Sequence, residues 1–68
     1  MSVEKLFYRP NEAAIALGIS RTAVFRLIKT GELQSIKREG YRLLPAWALR
    51  DYARALEAEA GLTHREVA

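Results

Sequence analysis

Gly18 and Ser20 stand two residues apart, and that interval constrains everything around it. Glycine readily takes the left-handed conformation that ends a helix. Serine is a favoured N-cap, because its hydroxyl accepts a bond from an amide in the first turn of the helix that follows. A helix stop and a helix start this close leave room only for a sharp turn between two helices. The first helix is expected from about Pro10 to Leu17. Proline is tolerated at a first helical position, where its missing N–H would have been unpaired anyway, and Glu12 in the first turn suits the positive end of the helix dipole. Ala13, Ala14 and Leu17 make a narrow face of mostly small residues that lets another helix come close. The second helix is expected from the Ser20 cap to about Thr30, stopped by Gly31 and carrying Lys29 in its last turn. Val24, Leu27 and Ile28, at i, i+3 and i+4, form its buried stripe. Ala23 at its third position rules out a reciprocal capping box.

The flanks are shorter. Leu6-Phe7-Tyr8-Arg9 is a strand-like, aromatic lead-in ended by Pro10. Leu33–Lys37 and Tyr41–Leu44 flank Arg38-Glu39-Gly40, the pattern of a β-hairpin with Gly40 supplying the positive φ of a tight loop. Pro45 is expected to open a third helix, from about 45 to 60, with Leu49, Tyr52, Ala53 and Leu56 as its apolar face and Gly61 as its stop. Residues 1–61 read as one domain and 62–68 as a frayed tail.

A chain of 68 residues has no room for a nucleotide-binding sheet or a deep substrate pocket. It contains no cysteine, which excludes a disulfide framework and thiolate metal sites, and a single histidine, His64, builds no metal site alone. No cofactor is expected. The start, Met1-Ser2-Val3-Glu4-Lys5, is polar and does not read as a signal peptide. The longest apolar stretch, Leu43 to Leu49, contains Pro45 and falls well short of the roughly 20 residues of a membrane span. The expectation is a soluble protein of the cytoplasm with no membrane partner.

Charge is distributed unevenly. Residues 1–50 hold nine Lys/Arg against four Asp/Glu, whereas residues 51–68 hold two against four. Between residues 20 and 42 lie Arg21, Arg26, Lys29, Lys37, Arg38 and Arg42, against Glu32 and Glu39. A second helix that buries Val24, Leu27 and Ile28 turns Arg21, Thr22, Phe25, Arg26 and Lys29 outward. Helix, glycine turn, helix and hairpin make a helix-turn-helix followed by a wing, in an α+β but mostly helical fold of three helices and a two-stranded wing. Arginine pairs with guanine O6 and N7 through two parallel bonds, and cations at a wing suit phosphates or a neighbouring minor groove. Double-stranded DNA is the partner these features fit. The bland alternative is a small domain whose exposed face happens to be basic.

The run Glu12-Ala13-Ala14, Leu17-Gly18-Ile19-Ser20-Arg21-Thr22-Ala23-Val24-Phe25-Arg26-Leu27-Ile28 and Gly31-Glu32-Leu33 resembles the excisionase-type helix-turn-helix. Ile36-Lys37, Gly40, Arg42 and Leu44-Pro45 match that family's wing and the proline before its last helix. The resemblance covers about residues 6–56 and implies a MerR-like winged helix. It further implies groove reading by Ser20, Arg21, Thr22 and Arg26, flanked by Phe25 and Lys29, and wing contacts by Lys37, Arg38 and Arg42. The family includes phage excisionases, which are recombination directionality factors, and small transcription regulators. The first role implies cooperative binding of neighbouring copies to repeated sites, DNA bending, and partnership with a phage integrase in the bacterial nucleoid. The second is the alternative.

Three positions depart from the family pattern. Arg9 stands where a Thr or Ser cap is usual, forfeiting about 1 kcal/mol of capping unless another group serves. Ile15 replaces a polar residue and adds exposed apolar surface, and Ala48 replaces a frequent acid. Trp47 lies roughly 200° round its helix from Leu49. It either packs over the wing or contacts another protein, and Ile15 and Trp47 are the protein-contact candidates. The carboxylates are dispersed, and no base is arranged to activate Ser20, so no catalytic site is expected.

Overall fold

The interval between Gly18 and Ser20 closes as those residues require. In the computed structural model, which describes residues 5–62, Gly18 is left-handed at φ 73°. Its N–H donates to the Ile15 carbonyl at 3.2 Å, and the Ile19 N–H donates to the Ala14 carbonyl at 3.0 Å, satisfying carbonyls that the ending helix leaves open. Ser20 Oγ then accepts from the Ala23 N–H at 3.0 Å and starts the next helix. The elements run β1 (Phe7–Tyr8), α1 (Pro10–Leu17), α2 (Arg21–Thr30), β2 (Ile36–Arg38), β3 (Tyr41–Pro45) and α3 (Ala46–Glu59). The expected tail beyond Leu62, with His64, lies outside the described residues.

At the start of α1 the cap is made differently from the usual way. An arginine side chain has no acceptor atom, so Arg9 cannot cap an amide of the first turn. Glu12 serves instead, its Oε1 accepting from the Arg9 N–H at 2.8 Å while its Oε2 pairs with Lys5 Nζ at 2.9 Å. This is the acidic half of a capping box without its hydroxyl half.

The sheet has three strands in the order β1-β3-β2, the lead-in strand joining the two-stranded wing. The first part of β3 pairs antiparallel with β2, placing Ile36 opposite Leu43, Lys37 opposite Arg42 and Arg38 opposite Tyr41. Its last two residues pair with β1, Phe7 opposite Pro45 and Tyr8 opposite Leu44. Arg38 belongs to the strand, so the loop is the two residues Glu39 and Gly40, at φ 43° and 87°. Two consecutive positive φ values are those of a type I′ turn, whose twist matches the strands it joins.

α1, α2, α3 and the end of β3 enclose the core. Ala13, Val24, Leu33 and Leu44 are essentially inaccessible, with Ala14, Ala48 and Leu49 beside them. Tyr8, Leu17, Ile19, Leu27, Ile28 and Tyr52 pack partly buried around this group. Full burial of each leucine stabilises by roughly 1.5–3 kcal/mol, so Leu33 and Leu44 carry much of a small core.

Three details differ from the sequence expectations. Pro45 does not open α3: it ends β3, with extended backbone at φ −61° and ψ 145°, and caps the helix that starts at Ala46. Leu33 is not a strand residue. After Gly31 the chain folds back, the Leu33 N–H donates to the Leu27 carbonyl at 3.1 Å, and the side chain drops into the core. On α3 the expected Leu49 is buried and Tyr52 and Ala53 are half-buried, Tyr52 against the core, but Ala46 and Ala48 are buried as well and Leu56 is 49% exposed. Ala48 is therefore a core residue, where an acid would be buried without a partner. No helix among the described residues is long and apolar enough to cross a membrane.

Candidate nucleic-acid interface

α2 buries Val24 and half-buries Ala23, Leu27 and Ile28, which leaves Arg21, Thr22, Phe25, Arg26 and Lys29 on the outside. At 100° per residue these five span an arc of about 140°. Arg21 and Phe25 lie on the side that faces the wing, and Arg26 lies at the far edge. The Arg21 guanidinium sits over the Phe25 ring, 5.1 Å from its centroid.

Two clefts separate α2 from the sheet. One, of about 620 Å³, is lined by Phe25, Ile28 and Lys29 on the helix and by Ser35 and Arg42 on the other wall. The other, of about 250 Å³, brings together Arg9, Arg21, Phe25, Lys37, Tyr41 and Arg42. Between them the clefts carry Arg9, Arg21, Lys29, Lys37 and Arg42, and no carboxylate. Arg42 belongs to both. It is half-buried and donates from its guanidinium to Ser35 Oγ at 3.0 Å, so it is aimed rather than free to sweep. A concave surface lined by one sign of charge focuses its field on a polyanion.

The structure thus brings Arg21, Phe25, Lys29, Lys37 and Arg42 to one concave face. Ser20 is occupied as the α2 cap, Thr22 and Arg26 stand on the outer part of the exposed arc, and Arg38 faces the opposite side of the sheet from Lys37, as neighbours on a strand must. Sequence reasoning left one residue out. Arg9 is exposed at the junction of β1 and α1, with its guanidinium 4.7 Å from the centroid of the Tyr41 ring. The available signal was a cation at a helix N-terminus, a placement that the helix dipole disfavours.

The apolar candidates lie elsewhere. Trp47 is 53% exposed and borders a separate, largely apolar depression with Leu6, Phe7, Ile36 and Pro45. Ile15, on α1, is 83% exposed and is not part of that depression.

Comparison with known proteins agrees with this architecture. Residues 7–56 match the family described as "Helix-turn-helix domain". The chain is 40% identical over 48 residues to a protein described as "Probable excisionase" from Saccharopolyspora erythraea. That stretch is 71% of this chain and 49% of the relative, so the chain spans about half the length of the protein it matches. No solved structure gives a significant match. In a helix-turn-helix module the second helix enters the DNA major groove, and here that helix is α2. The chain belongs to the helix-turn-helix domain family of DNA-binding modules, and over 48 residues it is similar to a probable excisionase.

Proposed function

We propose that this chain is a sequence-specific architectural DNA-binding protein that acts as an excisionase. The observation that carries the reading is the joined face of α2 and the wing, where two clefts hold five cations and no carboxylate. α2 lies in the major groove with Arg21 and Arg26 at base edges, supported by Ser20, Thr22, Phe25 and Lys29. Lys37, Arg38 and Arg42 hold the backbone on either side of the wing. The chain performs no chemistry of its own. Several copies bind repeated sites, bend the DNA and help an integrase assemble the excising complex.

Cooperativity follows from size. A single module of this kind buries only about 600–1,000 Å² on DNA, which makes one-copy binding modest. α3 has 14 residues, two heptads, and a coiled coil needs three or four. The free protein is therefore a monomer, and neighbouring protomers on DNA supply the missing affinity through exposed apolar side chains, with Trp47 and Ile15 as the contact residues.

Sedimentation of the free protein, combined with binding to DNA that carries one site or several, tests this reading. A free monomer with higher per-site affinity on the multiple-site DNA is the expected result. A tight free dimer would favour a transcription regulator, and equal per-site affinity would remove the cooperative mechanism. Cooperativity that survives both Ile15→Ser and Trp47→Ala would move the contact to other residues.

A further inference from the structure

Arg9 has neither of the roles that usually hold an arginine at a helix start. It cannot cap α1, and its charge opposes the helix dipole. Nor does its guanidinium form a close ion pair among the described residues, although its charge helps hold the neighbouring Glu12 carboxyl below its ordinary range. Both oxygens of that carboxylate are engaged, Oε1 by the Arg9 N–H at 2.8 Å and Oε2 by Lys5 Nζ at 2.9 Å. The guanidinium instead lies over the Tyr41 ring, 4.7 Å from its centroid. Tyr41 follows the Glu39-Gly40 turn directly, so the contact ties the start of α1 to the base of the wing tip.

Arg9 is exposed, so its N–H donors are open to an acceptor. The cleft beside it is about 250 Å³ and also holds Arg21 from α2 with Lys37 and Arg42 from the wing. Arg9, Arg21, Lys37 and Arg42, from three separate parts of the chain, line it without a carboxylate, and Glu12 lines the adjoining depression with Arg9 and Arg21. Bringing like charges together disfavours the free protein, and an anion is what relieves it. The acceptor geometry an arginine edge matches best is a pair of phosphate oxygens.

We infer that Arg9, lying over the Tyr41 ring, binds a backbone phosphodiester of DNA at the rim of the cleft between α2 and the wing, and so acts as a positioning contact outside both. The inference rests on the DNA-binding reading above. It explains why a capping position carries an arginine: stability at α1 is exchanged for a phosphate contact.

Arg9→Thr separates the two roles, because threonine is a good N-cap and would complete the capping box with Glu12. This variant should melt roughly 4–8 °C higher than wild type, as about 1 kcal/mol does in a domain this small. It should also bind DNA about tenfold more weakly, with a slope of log K against log salt less negative by about 0.9, the value for one phosphate. Its discrimination between matched and random duplexes should not change. Arg9→Lys keeps the charge and loses the planar guanidinium, so it should keep the wild-type slope and lose only a few-fold in affinity. Unchanged affinity and slope in Arg9→Thr would overturn the assignment, as would altered discrimination, or weaker binding with an unchanged slope and a lower melting temperature. A wild-type protein without salt-dependent DNA binding would overturn the underlying reading first. A steep wild-type slope shared by Arg9→Thr would overturn the role of Arg9 alone.

Discussion

Lys37 and Arg42 stand directly opposite each other in the antiparallel register of β2 and β3. Residues in that relationship share a face of the sheet, and like charges there are destabilising by a few tenths of a kcal/mol or more. The pairing is costly in the free protein and useful against a polyanion. Lys37→Gln should therefore raise stability by about 0.2–1 kcal/mol at low salt, with the gain shrinking as salt screens the pair. The same change should weaken binding to matched and random duplexes alike, because the wing positions the backbone. Urea unfolding at two salt concentrations, with binding to both duplexes, checks the two halves together.

Glu39 is the only non-glycine among the described residues with a positive φ, 43°. A type I′ turn needs that conformation, and a glutamate adopts it at a cost of roughly 1 kcal/mol. Asparagine tolerates it much better. Glu39→Asn should stabilise the fold by about 0.5–1 kcal/mol, measured as a rise in the urea midpoint with an unchanged m-value.

The Glu12 carboxyl is held below its ordinary value of 4.5, first by the bond from the Arg9 amide and then by Lys5. A carboxyl whose pKa is lower folded than unfolded contributes stability that is complete above the unfolded value and is lost as pH falls through the folded one. Glu12→Gln should melt below wild type at pH 7, and the two should converge as the pH drops below the carboxylate range. A difference that persists unchanged at low pH would assign the effect to packing instead of charge.

The readable parts of this chain were those specified within one turn of helix or one loop. Gly18, Ser20 and Gly31 mark helix ends by their own conformational preferences, and the α2 stripe repeats within ten residues. The parts that escaped depend on where distant segments meet. Leu33 has the composition of a strand residue, but the chain returning from Gly31 delivers it to the core. Pro45 reads as a helix start and is instead a strand end, because Phe7, far away in sequence, pairs with it. At the interface, the cations of α2 and the wing were legible as exposed charges. Arg9 was legible only as a missing cap, since nothing local connects it with Tyr41.

Base readers and backbone holders should also separate by mutation. Arg21→Ala and Arg26→Ala should each lower affinity for a matched duplex by about 1–3 kcal/mol and relax sequence preference, whereas Lys37 should not affect preference. A change of specificity on mutating Lys37, with none on mutating Arg21, would reverse the assigned roles.

The most direct test of the central claim, that the joined face of α2 and the wing binds the DNA backbone, is the salt dependence of wild-type binding to duplex DNA. Neutralisation of four to six phosphates by the cations of this face should give log K against log salt a slope of about −4 to −5. A flat response would contradict the account and leave a small domain whose basic surface is incidental.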